Sequence, residues 1–477
     1  MAITFLFDSS YCSGCKACQA ACKDKNQLPT GTLWRRVYEI SAGTWQEKDD
    51  AWTTDVYAYN ISMACNHCEH PKCAGVCPTN AYTIRPDGIV LLDTQRCTGC
   101  GYCGWACPYG APQFDRQSGI MTKCNFCVDY LEAGQAPACV AACPLRSLDY
   151  ADLPGLQARP GLTQVVPPLP DPVSRNPRFF IKSHPAVGRA RQGDARIANR
   201  EEVNTRLVGR FEEAPLVAFT LLAQMAVGAF WEYSGLYSLI TKAIGELGVF
   251  QNNSLIFYSI GLLIFLSLLL SFGHLGNARN AWRVLSHLRK SWLSREILFT
   301  GLFAGLWMLM VLLETQQIGG FMRILLNLAT SLSGLATIWS MSRVYRLQTV
   351  PAWNTWRTPA AFFTSTFLLG FLWAGMIRFF SIPILSWRQV NAVGIGLIAA
   401  LFFIGALVLR LTSGADKSLR LSRLRVGLIV AGLFGSVIMS LFPGAIGAWM
   451  TVPLFILAAV EETIGRGLFY ESRSQEF

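Results

Sequence analysis

The chain has 477 residues and a formal net charge of +11, and 52% of its residues are hydrophobic while only 15% are charged. This length exceeds that of one ordinary domain, and this composition is typical of membrane proteins rather than of soluble globular ones. The excess of Lys and Arg does not indicate a nucleic-acid partner, because these residues flank long apolar runs, where an anionic membrane surface accounts for them.

The N-terminal part is a cysteine-rich module, since all 16 cysteines lie between Cys12 and Cys143. The first residues contain no basic stretch followed by an apolar run, so we expect no export signal. In a reducing compartment thiols bind metal instead of forming disulfides. Alternating residues over 55–62 and the apolar run 89–92 predict two short strands.

The cysteines fall into four groups of four. These are Cys12, Cys15, Cys18 and Cys22; Cys65, Cys68, Cys73 and Cys77; Cys97, Cys100, Cys103 and Cys107; and Cys124, Cys127, Cys139 and Cys143. The first and third groups have the spacing C-x2-C-x2-C-x3-C of bacterial ferredoxins, and three of the four groups end before proline. Three thiolates on a tight loop hold three irons of a cubane, while the fourth reaches a neighbouring cluster. The spacing therefore predicts four [4Fe–4S] clusters.

Structural zinc is the alternative, because four-cysteine zinc sites also use C-x2-C pairs. The protein would then be a zinc-binding membrane scaffold or maturation protein. Zinc gives no reason for the x3 step that ends all four groups.

Residues 151–213 separate this module from the apolar half. The stretch from Ala151 to Pro185 has eight prolines and predicts an extended tether, and the stretch from Lys182 to Arg210 has seven basic residues and predicts a membrane-surface segment.

Residues 214–477 contain eight apolar segments, each near the ~20 residues that cross a bilayer. We place them at 214–240, 254–274, 296–314, 318–342, 360–380, 390–410, 424–443 and 445–461, with Pro443 and Gly444 between the last two. Inside a bilayer the backbone must satisfy its own polar groups, so an all-α bundle of eight transmembrane helices is predicted.

The loops of this bundle differ in charge. Those on the side of the cysteine-rich module carry thirteen Lys or Arg residues, whereas the opposite loops carry four: Lys242, Arg323, Arg378 and Arg388. The positive-inside rule therefore places the module in the cytoplasm. Alternatively, the basic loops bind the chain's own acidic module through electrostatic attraction.

Several motifs together resemble a known family. Residues 1–150, with Leu28-Pro-Thr-Gly31 and Trp34-Arg-Arg-Val-Tyr38, resemble the four-cluster electron-transfer subunit of DMSO-reductase-type molybdoenzymes. The membrane half is similar to that family's eight-helix quinol-oxidising anchor, through the motifs at 274–276, 291–296, 350–359 and 461–470. In the family these are usually two polypeptides, whereas here they are fused.

The resemblance implies an α+β ferredoxin-like double dicluster domain, a location in the inner (cytoplasmic) membrane and a separate molybdopterin catalytic subunit. It also implies that the fourth cysteines cross over between groups. The implied cluster sites are Cys12, Cys15, Cys18 with Cys143; Cys124, Cys127, Cys139 with Cys22; Cys65, Cys68, Cys73 with Cys107; and Cys97, Cys100, Cys103 with Cys77.

The quinone site is expected at His274 and Glu296, which match the family's menaquinol-site histidine and glutamate. Oxidation of a quinol needs proton acceptors, and the pKa of histidine suits that role. Alternatively, His274 ends a helix at the interface, and Glu296 is an acid at a helix N-terminus behind Ser294. Since only His274 and His287 lie in the membrane half, no bis-histidine haem is expected.

The direction of electron flow is left open by the sequence. A quinol (menaquinol or ubiquinol) could feed a reductase of S- or N-oxides. The same architecture run in reverse would be a cytoplasm-facing sulfite dehydrogenase that reduces quinone.

Overall fold

The computed structural model divides the chain into two compact units. It describes residues 2–49, 51–153, 160–166, 169–170, 175–189, 196–197, 214–234, 254–315, 321–381, 392–411, 419–442 and 445–472. The iron–sulfur unit comprises residues 1–207 together with 275–291, and the helical unit comprises residues 208–274 and 292–477.

The iron–sulfur unit is built from small sheets. The strands are β1 (Ile3–Asp8), β2 (Arg36–Ala42), β3 (Trp45–Lys48), β4 (Ala51–Thr54), β5 (Tyr57–Met63), β6 (Tyr82–Ile84), β7 (Val90–Leu92), β8 (Gln113–Asp115), β9 (Ile120–Thr122), β10 (Leu148–Asp152), β11 (Leu162–Thr163), β12 (Phe179–Lys182) and β13 (Arg196–Ile197). One sheet has the order β10-β1-β12-β11, a second has the order β13-β2-β5, and three two-stranded ribbons complete the set. The two predicted strands are confirmed as β5 and β7.

Short helices connect these strands close to the cysteines. They are α1 (Ala17–Lys25), α2 (Lys72–Val76), α3 (Tyr102–Ala106), α4 (Val128–Glu132) and α5 (Ala138–Ala141). Aromatic residues form the core beneath them, where Phe5 of β1 stacks on Phe126 with ring centroids 3.9 Å apart. The predicted α+β ferredoxin-like domain is confirmed.

The stretch that we expected to be an extended tether is partly folded. β12 pairs in parallel with β1 from Phe5↔Phe179 to Asp8↔Lys182, and β11 pairs with β12. The apolar side chains of Phe179 and Ile181 are buried in the core of the sheet. The described residues of this proline-rich stretch therefore do not form a free linker. Most of the predicted basic surface segment lies outside the described residues.

The described part of the helical unit contains eight long helices. They are α6 (Ala214–Tyr233), α7 (Ser254–Phe272), α8 (Trp292–Thr315), α9 (Phe321–Val344), α10 (Arg357–Ser381), α11 (Ala392–Leu411), α12 (Leu419–Leu441) and α13 (Ala445–Glu471). Six of them are long and apolar enough to cross a membrane: α6, α7, α8, α9, α10 and α12. The apolar part of α11 is shorter. The predicted turn at 443–444 lies outside the described residues.

Helices α6 and α10 approach closely because glycines face each other. A Cβ atom added to Gly228 would lie 2.0 Å from the carbonyl oxygen of Thr366, and one added to Gly370 would lie 2.4 Å from the backbone of Gly228. Small residues permit such contact between helices in lipid, where dispersion between backbones replaces the hydrophobic effect.

Helix α13 extends ten residues beyond the predicted end of the last apolar segment. It continues through Glu461, Glu462 and Arg466 to Glu471. The side chains of Glu461, Glu462 and Arg466 are buried.

Candidate metal centres and quinone site

Two cavities in the iron–sulfur unit are lined by cysteines from different sequence groups. One cavity is lined by Cys65, Cys68, Cys73 and Cys107. The other is lined by Cys12, Cys15, Cys18 and Cys143. Each set joins three cysteines of one group with the last cysteine of another, which is the arrangement expected from the family resemblance.

The remaining eight cysteines are also brought together across groups. The thiol of Cys22 interacts electrostatically with the thiols of Cys139 and Cys127. The thiol of Cys124 interacts in the same way with that of Cys22. The thiol of Cys77 acts on those of Cys97, Cys100 and Cys103. These neighbours agree with the crossed-over sets that the family resemblance implies, and electrostatic interactions also link one set to another, as between Cys65 and Cys124.

The loops between the cysteines adopt left-handed backbone conformations. These occur at Gly14 (φ 72°) and Lys16 (60°), Gly99 (70°) and Gly101 (73°), and Phe126 (63°) and Cys127 (51°). Such turns direct successive backbone N–H groups into a concavity that favours anions. Backbone N–H groups also donate to thiol sulfurs, from Gly99 to Cys97 at 3.3 Å and from Phe126 to Cys124 at 3.4 Å.

The chemistry of these sets fits iron–sulfur clusters. Burial, with the neighbouring Cys139 thiol, raises the pKa of Cys22 to about 12, and burial also raises the pKa of Cys68 to about 12. Buried thiols remain ionised only when a bound cation compensates their charge. Arg35 adds a positive charge beside Cys18 and Cys22, and it is only 1% exposed.

Only some of the hydrogen-bond donors of Arg35 have a partner in the described part of the protein. Its Nη1 donates to the carbonyl and hydroxyl oxygens of Ser62, at 3.3 and 3.1 Å, and its guanidinium lies over the ring of Phe5. Its Nε and Nη2 have no partner among the described residues. Buried donors of this kind beside thiols match a site that a negatively charged group completes.

A single zinc ion would need ligand side chains that converge on one point. Among the described residues, no three His, Cys, Asp or Glu side chains converge on a point that would hold a single metal ion. A cubane cluster keeps its thiolates further apart than a mononuclear zinc ion does, because iron and sulfide lie between them.

The connection between α7 and α8 belongs to the iron–sulfur unit. Within residues 275–291, Asn280 donates through Nδ2 to the carbonyl oxygens of Gln95 and Cys97, and Ser291 donates to the carbonyl oxygen of Val76. Nδ1 of His287 lies 2.8 Å from the carbonyl oxygen of Cys77. This segment therefore packs on the backbone around Cys77 and Cys97. Sequence reasoning treated it only as a basic loop, because these contacts are made by uncharged groups.

His274 immediately precedes this segment in the chain and belongs to the helical unit, just beyond the end of α7. Its Nδ1 is buried without a partner among the described residues. Burial lowers the pKa of His274, partly offset by a hydrogen bond to the backbone of Ser271. Burial therefore favours the neutral imidazole over the imidazolium.

Glu296 lies in the second turn of α8 and is only 2% exposed. It interacts electrostatically with Tyr345, whose hydroxyl lies 2.6 Å from the hydroxyl of Tyr470 in α13. Both tyrosines are buried. The structure thus associates Glu296 with a tyrosine pair that sequence reasoning missed, because its members lie 125 residues apart.

The helical unit also pairs its buried charges with one another. Glu232 of α6 and Arg378 of α10 form a buried ion pair. Arg425 of α12 and Glu461 of α13 lie 2.6 Å apart. Arg378 lies near the C-terminal end of α10, inside the apolar segment predicted at 360–380, and is 8% exposed.

Two family models match the chain. Residues 56–153 match a 4Fe-4S dicluster domain, and residues 208–413 match the DMSO reductase anchor subunit (DmsC). The first match lies within the iron–sulfur unit, and the second spans the first part of the helical unit together with residues 275–291, which the structure places in the iron–sulfur unit.

Curated relatives cover the iron–sulfur half. The protein is 44% identical over 201 residues to a chain of the anaerobic dimethyl sulfoxide reductase of Escherichia coli (strain K12), a match that covers 42% of this protein and 97% of the relative. It is 45% identical over 179 residues to a chain of the anaerobic dimethyl sulfoxide reductase of Haemophilus influenzae, covering 37% and 87%. It is 36% identical over 173 residues to a subunit of the sulfite dehydrogenase of Allochromatium vinosum, covering 32% and 69%.

Proposed function

Because this polypeptide belongs to the family of DMSO-reductase-type iron–sulfur subunits, here fused to an anchor of the DmsC family, we propose that it passes electrons between a membrane quinone pool and a separate molybdopterin catalytic subunit. One observation carries the proposal. A single polypeptide joins converging cysteine sets to a bundle of apolar helices.

We assign the sixteen cysteines to four [4Fe–4S] clusters in the crossed-over sets described above. When bound, such clusters take up and release single electrons. The protein holds them with thiolates, directs backbone N–H groups toward them and places Arg35 between the Cys18 and Cys22 thiols and those of Cys124 and Cys139. These groups offset negative charge in a buried site.

We place the quinone site at His274 and Glu296. Oxidation of a quinol yields one quinone, two electrons and two protons. His274 is suited to accept a proton because Nδ1 of its imidazole is not engaged by any described residue. Glu296 is suited to take the second proton, and Tyr345, which interacts electrostatically with it, is hydrogen-bonded to Tyr470.

The reverse direction is the second candidate. The similarity to a subunit of a sulfite dehydrogenase favours it, since quinone would then be the electron acceptor. The proton acceptors at His274 and Glu296 would act as proton donors in that direction.

We also propose that all eight long helices cross the inner membrane and that the iron–sulfur unit faces the cytoplasm. The charge difference between the two sets of loops supports this orientation.

The test compares two ways of reducing the clusters in the purified complex. In His274→Arg, dithionite should still reduce every cluster, whereas reduction by a quinol analogue should be lost. His70→Arg is the matched control, because His70 is exposed in the iron–sulfur unit. Unchanged quinol-dependent reduction in His274→Arg would move the quinone site elsewhere.

A second assay identifies the reaction. The catalytic subunit that co-purifies with the chain is assayed with sulfite and with S- and N-oxides. Turnover of sulfite alone selects the dehydrogenase direction, and turnover of the oxides selects the reductase direction.

A further inference from the structure

His67 lies among the cysteines of the second group, yet its side chain is buried and only 1% exposed. It lines the cavity that Cys65, Cys68, Cys73 and Cys107 also line. The electron-transfer role proposed above assigns it no part.

The hydrogen bonds of His67 fix its tautomer. The backbone N–H of Val90 donates to Nδ1 at 3.0 Å. Since Nδ1 is the acceptor, the ring proton must be on Nε2. No described residue accepts a hydrogen bond from this Nε2, although the atom is buried.

The orientation of the ring is also fixed. It packs edge-on against the ring of Phe126, with centroids 5.3 Å apart. The carbonyl oxygen of His67 accepts a hydrogen bond from Nη1 of Arg178 at 3.1 Å, which holds the residue at φ 41°. The ring of this cavity-lining residue therefore has a fixed orientation, and its unpartnered N–H group is fixed with it.

The ring of His67 also contacts the loop of a second cysteine set. Phe126, on which it packs, donates its backbone N–H to the sulfur of Cys124 at 3.4 Å, and the thiols of Cys65 and Cys124 interact electrostatically.

We propose that Nε2–H of His67 donates a hydrogen bond to the cluster held by Cys65, Cys68, Cys73 and Cys107 and raises the reduction potential of that cluster. The reduced cluster carries one more negative charge, so a fixed donor stabilises it more than the oxidised form. The step adds one electron and moves no proton. The inference rests on the cluster assignment of the proposed function, but not on the quinone site or the catalytic subunit.

Two substitutions separate the donor from the rest of the side chain. In His67→Asn, the amide oxygen takes the place of Nδ1 and can still accept from Val90, and asparagine tolerates positive φ. This variant lacks any atom that reaches the position of Nε2. In His67→Gln, the longer amide returns an N–H donor to that position.

The full-length chain is titrated with chemical mediators and followed by EPR. In His67→Asn, we expect the reduction equilibrium of one cluster to weaken about tenfold, which is 59 mV for a one-electron couple, while the other clusters are unchanged. In His67→Gln, most of this shift should be recovered. His70→Gln is the control, because it changes an exposed histidine of the same loop.

Unchanged potentials in His67→Asn would overturn the proposal. Equal shifts in the Asn and Gln variants would overturn it too, because the donor would not be the cause. If the Asn variant does not assemble its clusters, pulsed EPR of the wild-type protein with ¹⁵N-labelled histidine decides. A nitrogen coupling to one reduced cluster is expected, and its absence rejects the proposal. These measurements need no quinone, so they do not depend on the quinone-site test.

Discussion

The two units treat their buried polar groups differently. In the iron–sulfur unit, Nε2 of His67 and two nitrogens of Arg35 are buried beside thiols without a partner among the described residues. In the helical unit, the buried charge of Glu232 pairs with Arg378 and that of Glu461 pairs with Arg425, although Nδ1 of His274 is buried without a partner among the described residues. The first unit leaves donors for a group that the polypeptide does not supply. The second neutralises buried charge with its own helices, as a structure in hydrocarbon must.

The largest effect is expected when a cysteine that binds a cluster together with cysteines of another sequence group is replaced. Cys143→Ser should abolish the cluster of Cys12, Cys15 and Cys18, because Cys143 lines their cavity. Iron should fall by about a quarter, since each of four cubanes holds four irons. Iron and acid-labile sulfide analysis, with EPR, measures the loss.

Double variants test whether the thiolates cross over. Adding Cys12→Ser to Cys143→Ser should cost no further cluster, whereas adding Cys124→Ser should cost a second. The reverse pattern would mean that Cys143 binds with its own sequence group.

The next largest effect should come from the ion pair in the helical unit. Arg378→Leu leaves Glu232 buried without its partner, and breaking such a pair costs about 3–5 kcal/mol. The double change Glu232→Leu with Arg378→Leu should restore most of that free energy of unfolding. Denaturant unfolding in detergent measures both, and an additive double variant would contradict the pairing.

A smaller effect is expected where two helices touch. Gly228→Ala places a methyl group against the carbonyl oxygen of Thr366, so α6 and α10 must separate, at about 1–3 kcal/mol. Gly301→Ala is the matched control, because a Cβ atom there meets nothing within 4 Å. Equal unfolding free energies for the two variants would refute the close approach.

The smallest effect concerns the pH dependence of stability. Burial lowers the pKa of His274 below 6.5 in the folded state. As the pH falls through 6.5, the unfolded protein takes up this proton first, so the free energy of unfolding decreases. His274→Gln should lack this part of the decrease. Identical pH profiles between about pH 7 and 5 would contradict burial of the neutral imidazole.

Local patterns in the sequence predicted much of this architecture. The spacing of the cysteines, the strands β5 and β7 and the positions of the apolar helices all follow from residues close together in the chain. Cysteine spacing and apolar length constrain structure within one loop or one helix, so such features can be predicted from one sequence.

Contacts between distant residues were missed. Proline content suggested a tether, yet β12 forms ladder pairs with β1, which lies about 170 residues earlier. The end of α13 was placed at Glu461, because its charged residues break the apolar pattern. Glu461 pairs with Arg425 of another helix, and a single sequence does not reveal such partners.

The membership of residues 275–291 in the iron–sulfur unit has a consequence for biosynthesis. Ribosomes complete residues 1–207 well before this segment, and α6 and α7 are made in between. Residues 275–291, which contact the backbone of Cys77 and Cys97, are thus among the last parts of that unit to be synthesised. The backbone contacts that this segment makes around Cys77 and Cys97 can therefore form only after the first two long helices have been synthesised.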